Sequence, residues 1–501
     1  MEEPLRILFV TPEVTPFART GGLGDVTSAL PKALAALGHD VRVVMPLYQT
    51  VRDGAFPLTE LLSDLQVPLV IGNRTARVWQ GHLPEREESS VHVPVYCIEQ
   101  DEYFARPGLY GSENGDYPDN AVRFTFFCRA ALALAARLDW FPYVFHCHDW
   151  QTALIPAWMR FLPGLDPRLS AAATVYTVHN LAYQGLFPVW AFPLTGLPPA
   201  LFQPAGVEFL GFVSCMKAGL LYADALTTVS PTYAEEICTP EFGFGLDGVL
   251  RTRRDALVGI LNGADYAVWN PEHDPFLAAR YNAADLSGKA LCKTALLRTF
   301  NLPEDLDIPL IGMISRLVDQ KGIDLLAAAL DRLLTLNLRL VILGSGYAPY
   351  EEFLTALGRT YPQKIGVRLG FDDALAHQIE AGSDGFLMPS RYEPCGLNQM
   401  YSLRYGTIPI VRATGGLRDT VVPFNPATGQ GTGFVFQQAS GDALLAAVSE
   451  ALGVFANRAS WRRVVQNAMV QDFSWGQSAA RYVDLYRRAL GGKQGSSAMG
   501  S

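Results

Sequence analysis

The sequence predicts an α/β protein with two doubly wound, Rossmann-like domains, and two stretches of the chain carry that prediction. In the first, an apolar strand at 5–10 and a glycine-rich loop lead into a helix at 26–37 and a second apolar strand at 41–45. In the second, the same order begins again, with strands at 308–314 and 338–343 around a helix at 323–334. A strand, a helix and a parallel strand form a βαβ unit, so a second unit indicates a second parallel sheet.

The composition is that of a globular chain that can bury large hydrophobic cores. Of its 501 residues, 49% are hydrophobic and 18% are charged, which excludes disorder for most of the chain. A net charge of -9 argues against a nucleic-acid partner, which needs a basic surface. The longest candidate for a membrane helix, 130–138, lies between Arg129 and Asp139 and is shorter than the ~18 residues that such a helix needs. Seven cysteines without a CxxC pair favour a cytoplasmic protein without disulfides or structural zinc.

A cluster of turn-forming residues separates the two predicted sheets. The segment 262–271, NGADYAVWNP, follows a strand at 258–261 and precedes the second βαβ unit. We therefore place a first domain at 1–262 and a second domain at 263–472. The end of the chain, 491–501, is rich in glycine and serine, which predicts a disordered tail.

Polar and glycine-rich segments follow the predicted strands in both halves. Open α/β sheets bind ligands beyond the carboxyl ends of their strands, so these segments mark the candidate site. They are 19–22 (RTGG), 148–150 (HDW), 179–180 (HN), 230–233 (SPTY), 315–322 (SRLVDQKG), 390–396 (SRYEPCG) and 413–416 (ATGG). They would converge if the two sheets face each other across a cleft.

Three of these segments have the chemistry of a phosphate site. The loop 19–24, RTGGLG, enters a helix, and its glycines let backbone N–H groups approach an anion; the alternative is a tight strand-to-helix turn. Arg316 and Lys321 suit a pyrophosphate, or they point into solvent from an exposed loop. Glu393 precedes a predicted helix, where it is either a simple cap or a ligand for a sugar hydroxyl.

Two other patterns are weaker. The glycine-rich loop lacks the GxGxxG spacing, and no acidic residue ends the second strand, which disfavours a nicotinamide-dependent oxidoreductase. His146 and His148 share one face of a predicted strand, but no further ligand cluster accompanies them, so we expect no metal site.

Taken in order, long segments of the chain resemble the bacterial glycogen synthases and plant starch synthases. The matching segments are LFVTPEVTPFARTGGLGDV, HCHDW, TVYTVHNLAYQG, VSPTYAEEI, GILNGADYAVWNP, ISRLVDQKG and PSRYEPCGLNQMYSLRYGTIPIVRATGGLRDTV. They extend over nearly the full length of the chain, and several of them are long and specific.

The resemblance implies a GT-B fold, with two Rossmann-like domains and a last helix, here 473–490, that packs back on the first. It implies transfer of glucose from a nucleotide sugar, ADP-glucose in most bacterial members, to the non-reducing end of an α-1,4-glucan. The configuration of the sugar is retained, and no metal or other cofactor is required. The expected partners are the nucleotide-sugar donor and the glucan acceptor, whereas the oligomeric state is not indicated.

The resemblance also implies roles for individual residues. Glu393 contacts the donor glucose, and Arg316 and Lys321 neutralise the departing diphosphate. His179 and Asp149 lie around the transferred glucose, and Phe371 lies near the nucleotide base. The full set of expected substrate contacts is Arg19, Gly21, Gly22, Asn180, Asn262, Phe371, Cys395, Gly396, Leu397, Asn398, Thr414, Gly415 and Gly416.

Two positions depart from the family pattern, and other functions remain open at this point. Arg19 stands where lysine is usual, and Asn398 stands where bacterial members commonly have threonine. The first alternative is another GT-B enzyme, one that forms a disaccharide or epimerises a nucleotide sugar, and product analysis would identify it. The others are a non-catalytic glucan-binding protein, which has no need of the cations and carboxylate described above, and the oxidoreductase.

Overall fold

The computed structural model describes residues 3–84, 92–112 and 115–499. The chain forms two compact units. The first consists of Met1–Val229, Ala234–Gly263 and Trp475–Ser501, and the second consists of Ser230–Tyr233 and Ala264–Ser474. Each unit contains one large sheet, as the two predicted βαβ units indicate.

The first unit holds a nine-stranded sheet. The strands up to residue 263 are β1 (Arg6–Val10), β2 (Asp40–Pro46), β3 (Thr59–Val67), β4 (Arg74–His82), β5 (Pro94–Glu99), β6 (Gly111–Ser112), β7 (Gly115–Asp116), β8 (Val144–His148), β9 (Ala173–Val178), β10 (Leu186–Pro188), β11 (Glu208–Phe209), β12 (Phe212–Ser214), β13 (Ala225–Thr228) and β14 (Leu257–Gly259). The helices over the same range are α1 (Gly22–Ala36), α2 (Gln49–Asp53), α3 (Asp101–Phe104), α4 (Asn120–Arg137), α5 (Leu154–Phe161), α6 (Pro167–Ser170), α7 (Cys215–Tyr222), α8 (Pro231–Glu236) and α9 (Asp247–Thr252).

The order of this sheet is β14-β13-β9-β8-β1-β2-β5-β4-β3. Its strands run parallel from β14 to β5, and β4 and β3 add an antiparallel edge. Strands β8 and β9 are buried along their whole length, as expected of parallel strands that are covered on both faces. The carboxyl ends of β1, β8 and β9 therefore meet at one edge of the sheet, where the predicted site segments begin.

The second unit holds a six-stranded, all-parallel sheet. Its strands are β15 (Leu310–Leu317), β16 (Arg339–Gly346), β17 (Ile365–Leu369), β18 (Gly385–Met388), β19 (Ile408–Arg412) and β20 (Phe434–Phe436). The helices from residue 264 onward are α10 (Ser287–Thr299), α11 (Ile323–Leu333), α12 (Ala348–Thr360), α13 (Asp373–Gly382), α14 (Asn398–Tyr405), α15 (Gly415–Thr420), α16 (Gly441–Ala456), α17 (Arg458–Met469) and α18 (Trp475–Met499), the last of which belongs to the first unit. The sheet order is β17-β16-β15-β18-β19-β20.

Both faces of the second sheet are covered by hydrophobic side chains. Along β16, Leu340 and Ile342 belong to one buried cluster, whereas Val341 and Leu343 belong to another. Successive residues of a strand point to opposite faces, so the two clusters lie on opposite sides of the sheet. This explains why the strand is a continuous apolar run rather than an alternating one.

Three predicted boundaries are corrected by the structure. The strand predicted at 308–314 continues to Leu317, because Arg316 and Leu317 still pair with β16, and Arg316 is therefore on a strand rather than in a loop. His148 is the last residue of β8 rather than the first residue after it. The tail predicted to be disordered over 491–501 is helical to Met499, and Lys493 holds it by donating to the carbonyl of Ala172 at 2.6 Å. Residues 500 and 501 lie outside the described residues.

No helix within the described ranges combines the length and the apolar character that a membrane crossing requires.

Candidate active site

The loop that follows β1 is held by one buried carboxylate, Glu13. Its two oxygens accept hydrogen bonds from the backbone N–H of Thr20 at 2.6 Å and from the Thr20 hydroxyl at 2.7 Å. The hydroxyl of Tyr110 donates to the same carboxylate at 2.5 Å. Burial raises the pKa of Glu13 despite these bonds, which favour its charged form. Because both donors of Thr20 are bound, the course of the loop into α1 is fixed.

The predicted contacts Arg19, Gly21 and Gly22 lie at the start of α1. Gly22 is the first residue of this helix and Gly21 is its N-cap. The guanidinium of Arg19 lies 3.2 Å from the carboxylate of Asp25, which also accepts from the Thr15 hydroxyl at 2.9 Å. A helix N-terminus with an arginine beside it favours a bound anion.

Asp149 follows β8 in an unusual backbone conformation. Its φ is 54° and its ψ is -175°, a combination that non-glycine residues rarely adopt and that is common at sites of chemistry. Its carboxylate accepts the backbone N–H of His179 at 2.7 Å. Burial raises the pKa of Asp149 to about 7, although the N–H groups of His179 and Asn180 lower it. Two predicted catalytic residues of the first unit are thus in direct contact.

Three histidines form a buried cluster at β8 and β9. Nδ1 of His148 lies 2.9 Å from Nε2 of His179. His146 bonds the Thr177 hydroxyl through Nε2 at 2.6 Å and the Tyr486 hydroxyl through Nδ1 at 2.8 Å. Burial lowers the pKa of His146 and His148 well below the ordinary value, and that of His179 to about 3. All three rings are therefore neutral at pH 7, and His146 has no ring nitrogen left for another ligand.

The two predicted asparagine contacts have different surroundings. Asn180 closes a turn, because its side-chain oxygen accepts the N–H of Ala182 at 3.1 Å. Asn262, three residues beyond β14, is buried, and its side-chain oxygen has no hydrogen-bond partner among the described residues. A buried amide oxygen in that state is an acceptor that a ligand hydroxyl can satisfy.

In the second unit, Lys321 and Glu393 form an ion pair beyond the end of β15. The ammonium of Lys321 lies 2.6 Å from Oε2 of Glu393, and the Ser390 hydroxyl donates to the same oxygen at 2.9 Å. Arg316 is the second-last residue of β15 and pairs with Ser345 of the neighbouring strand. Lys321 and Glu393, which the sequence analysis predicted as site residues, are therefore in direct contact. They lie beyond the end of β15, the strand that carries Arg316.

The backbone around Lys321 leaves little freedom for this pair. Lys321 ends a short 3-10 helix, Asp319–Lys321, and Tyr350 donates its hydroxyl hydrogen to Asp319 at 2.6 Å, which raises the pKa of Tyr350 to about 12. The next residue, Gly322, has a φ of 71°, and a Cβ there would lie 2.1 Å from the carbonyl oxygen of Pro389. Glycine at this position is what lets the loop pack against the segment that leads to Glu393.

The segment 395–398 leads into α14. Asn398 is the first residue of this helix and Leu397 is its N-cap. The side-chain amide of Asn398 donates to the carbonyl of Ile314 at 3.1 Å, which ties the helix N-terminus to β15. Cys395 is buried and Gly396 has a φ of 73°. The N–H groups at the start of this helix form a second place where an anion is favoured.

Thr414, Gly415 and Gly416 pack directly against the backbone around Glu393. Thr414 is buried and is the N-cap of α15. A Cβ on Gly415 would lie 1.9 Å from the carbonyl oxygen of Glu393, and one on Gly416 would lie 2.1 Å from that of Cys395. Glycine at both positions lets two strand-end loops touch, which fixes the backbone that carries the Glu393 carboxylate.

Phe371 lies two residues beyond β17 and is 75% exposed. It is therefore at the same edge of the second sheet as Arg316, two strands away in the order of that sheet. An exposed aromatic ring at this edge can stack on a nucleobase.

Several site residues were missed by sequence reasoning. Glu13 and His148 received no role, although Glu13 lies in a strand-end loop and His148 shares a strand face with His146. The segment 230–233 was predicted to lie at the site, but the sequence did not indicate what it binds. The Ser230 hydroxyl donates to the carbonyl of Pro394, next to Glu393, at 2.6 Å. In the same segment, the Thr232 hydroxyl donates to Asp419 at 2.6 Å. These bonds join residues far apart in the chain, so no local spacing could reveal them.

Comparisons with known proteins agree on one family. A family model for the starch synthase catalytic domain matches residues 6–252, and a model for group 1 glycosyl transferases matches residues 299–465. The glycogen synthase of Syntrophotalea carbinolica is 49% identical over 97% of this chain and 99% of its own length. A glycogen synthase of Anaeromyxobacter dehalogenans is 50% identical over 96% of this chain and 99% of its own.

Solved structures confirm the predicted GT-B fold. The catalytic domain of starch synthase IV from Arabidopsis thaliana, bound to ADP and acarbose, has a TM-score of 0.90 and 35% identity, and the match covers 98% of this chain and 100% of that one. Sucrose-phosphate synthase from Thermosynechococcus elongatus has a TM-score of 0.59 at 18% identity over 97% of this chain and 99% of its own, which shows the fold alone. From full-length sequence identity and fold together, the chain belongs to the glycogen synthase and starch synthase family of glycosyltransferases.

Proposed function

We propose that this chain transfers glucose from ADP-glucose to the non-reducing end of an α-1,4-glucan, with retention of configuration. The observation that carries the proposal is the contact of Lys321 with Glu393 beyond the end of β15, which also carries Arg316. It occurs in a chain 49% identical to a glycogen synthase over nearly its full length.

The second unit is proposed to stabilise the negative charge of the leaving diphosphate. In transfer from a nucleotide sugar, negative charge leaves with the diphosphate and has to be stabilised as it forms. Arg316 supplies a planar fork of N–H donors and Lys321 supplies a point charge. The start of α14 adds backbone N–H groups, and Phe371 offers a ring to the base. We expect these groups to perform the neutralisation without a metal ion.

The first unit is proposed to stabilise the positive charge that develops on the transferred sugar. The anomeric carbon becomes cation-like as its bond to the phosphate lengthens. Because the N–H of Asn180 is bound to Asp149, the carbonyl of His179 in the same planar peptide points the opposite way. This carbonyl is our candidate for stabilising the cation-like sugar, while Glu393 orients the glucose hydroxyls.

The remaining step is transfer of the acceptor proton. We propose a front-face route in which the bond from the anomeric carbon to the phosphate oxygen breaks as the bond to the acceptor hydroxyl oxygen forms. The acceptor proton then passes to the departing phosphate. Arg19 and the start of α1 would contact the donor phosphates. A covalent glucosyl-enzyme adduct, trapped and identified by mass spectrometry, would contradict this route.

The state of the cysteines supports a cytoplasmic location. All seven are free thiols, which suits a reducing compartment.

The test is donor-dependent transfer to glycogen by the purified protein. ADP-glucose and UDP-glucose, each labelled in the sugar, are supplied in parallel, and released nucleotide and polymer-bound label are both counted. We expect equal release and incorporation with ADP-glucose, and complete recovery of the label by an exo-acting α-1,4-glucan hydrolase. Incorporation only from UDP-glucose would overturn the donor, and release into a small disaccharide would overturn the acceptor.

A further inference from the structure

We infer that His148 is a positioning residue that sets the tautomer of His179, so that His179 presents an N–H donor at Nδ1 to its ligand. His148 is the last residue of β8, and His179 directly follows β9, the neighbouring parallel strand. Nδ1 of His148 lies 2.9 Å from Nε2 of His179. His148 is fully buried and His179 nearly so. The role assigned to His179 rests on the proposed function.

The protonation state of the pair follows from its burial. Burial lowers the pKa of both rings, so each imidazole is neutral at pH 7 and carries one N–H. A hydrogen bond between two ring nitrogens needs one donor and one acceptor. Two arrangements remain: either His148 donates from Nδ1, or His179 donates from Nε2.

The surroundings of Nε2 of His148 distinguish the two arrangements. Its Nε2 is buried and has no hydrogen-bond partner within the described part of the chain. The ring packs on Phe9, at 5.3 Å between centroids, and on His146, at 4.1 Å. If His179 donated, the proton of His148 would sit on Nε2 as a buried, unpaired N–H, which folded proteins avoid more strictly than an unpaired acceptor. His148 therefore donates from Nδ1.

The tautomer of His179 is then determined. Its Nε2 accepts from His148, so its single proton is on Nδ1. The backbone of His179 is fixed separately, because its N–H donates to Asp149 at 2.7 Å. Ring and backbone are thus held by consecutive residues, His148 and Asp149. An N–H donor suits a sugar hydroxyl oxygen, the class of ligand that the proposed reaction brings to this residue.

The test compares two substitutions of His148 that differ only in the donor. His148→Asn places an amide N–H near the position of Nδ1, whereas His148→Leu fills a similar volume without a donor. We expect His148→Leu to lower kcat roughly tenfold or more, a loss of the size found when the outer partner of a metal-ligating histidine is removed, with little change in the KM for ADP-glucose. His148→Asn should recover most of the loss. Cys147→Ala, a neighbouring buried change on the same strand, should keep the wild-type kcat.

Two readouts separate this role from a merely structural one. In a His179→Ala background, His148→Leu should cause no further loss of kcat, because both changes remove the same interaction. In protein labelled with ¹⁵N in its histidine rings, the His179 resonances should report protonated Nδ1 in the wild type and a tautomer mixture in His148→Leu. An independent loss in the His179→Ala background, equal activity of the asparagine and leucine variants, or protonated Nε2 in wild-type His179 would overturn the inference. The NMR result needs no substrate, so it holds even if ADP-glucose proves not to be the donor.

Discussion

Arg19 occupies the place of the usual lysine, and its surroundings show how it can serve there. Its side chain is 32% exposed and contacts Asp25 in the first turn of α1. A guanidinium has five N–H donors in a rigid plane, a geometry that suits contact with a phosphate. The contact with Asp25 therefore places a guanidinium at the start of the helix, where the proposed function needs a cation.

Substitution of Arg19 should act on the donor more than on the fold. We expect Arg19→Ala to raise the KM for ADP-glucose roughly tenfold, because one charge-assisted contact to phosphate is lost. Arg19→Lys keeps the charge and restores the residue that is usual in the family, so its KM should stay within about threefold of wild type. Steady-state kinetics with varied donor measure both. Unchanged donor KM and kcat in Arg19→Ala would remove Arg19 from the site.

Substitution of Glu393 should act on the chemical step. Glu393→Gln keeps the volume of the side chain but removes the charge that faces Lys321, and we expect kcat to fall at least about a hundredfold. The control is Asp324→Asn, the same change of carboxylate to amide at a surface residue that pairs with Arg391. We expect wild-type kcat for the control, and a Glu393→Gln kcat within twofold of wild type would exclude a catalytic role.

At the scale of elements, α18 supports the strands that carry the first-unit site. The Tyr486 hydroxyl bonds Nδ1 of His146 at 2.8 Å, and Nε2 of His146 lies 2.6 Å from the Thr177 hydroxyl on β9. His146 precedes His148 by two residues on the same strand face. The last helix is thereby joined, through the imidazole of His146, to the strand that ends in His148 and to the strand that precedes His179.

A matched pair of tyrosine substitutions tests this support. Tyr486→Phe leaves a buried ring nitrogen of His146 unpaired, which should lower the free energy of unfolding by ~1–3 kcal/mol. Tyr48→Phe removes a buried hydroxyl that has no hydrogen-bond partner among the described residues, so it should be neutral or stabilising. Urea unfolding measures both, and equal effects of the two substitutions would contradict the structural role of the Tyr486 hydroxyl.

At the scale of the whole molecule, buried titratable groups make stability depend on pH. In the second unit, burial raises the pKa of Glu380 to about 8, and burial lowers that of nearby Lys289 to about 8. Glu380 accepts from Ser402 at 2.6 Å, and Lys289 donates to the carbonyl of Ala381 and to the hydroxyl of Thr407. Glu380 is fully buried and Lys289 is half-buried, so their titration is coupled to unfolding.

The sign of the Glu380 effect follows from linkage. The folded state holds the Glu380 proton up to about pH 8, whereas the ordinary pKa is 4.5. Between these values the folded state binds more protons, so rising pH costs stability, by up to ~1.4 kcal/mol per pH unit. We expect Glu380→Gln to gain stability relative to wild type as pH rises from 5 to 7.5 in urea unfolding. The exposed Glu272→Gln should show no such trend, and a pH-independent difference for Glu380→Gln would contradict the raised pKa.

Much of the fold could be predicted because its signals are local. Short apolar segments predict β1, β15 and β16, and the spacing of apolar residues within single segments predicts the helices between them. The boundaries that moved did so for tertiary reasons: Arg316 joins β15 through pairing with β16, and Lys493 holds the end of α18 on Ala172. Neither partner is near in sequence.

The site was predictable only in part, for the same reason. Cations, carboxylates and glycines after strands are local signals, and they led to Lys321 and Glu393. The residues that hold such groups are linked over long separations, as Glu13 is to Tyr110 and His146 is to Tyr486. The spacing of residues along the chain does not predict these hydrogen bonds, because their partners come together only when the sheet has formed.

Transfer of glucose from ADP-glucose to glycogen, measured with and without excess EDTA, tests whether side chains alone stabilise the leaving diphosphate. Since Arg316 and Lys321 are proposed to take the charge of the leaving diphosphate, we expect the wild-type rate to be unchanged by the chelator, and we expect Lys321→Ala to lose most of its kcat in both conditions. Loss of wild-type activity in EDTA and its return with added Mg²⁺ would contradict the proposal, because a metal ion would then be stabilising the leaving group.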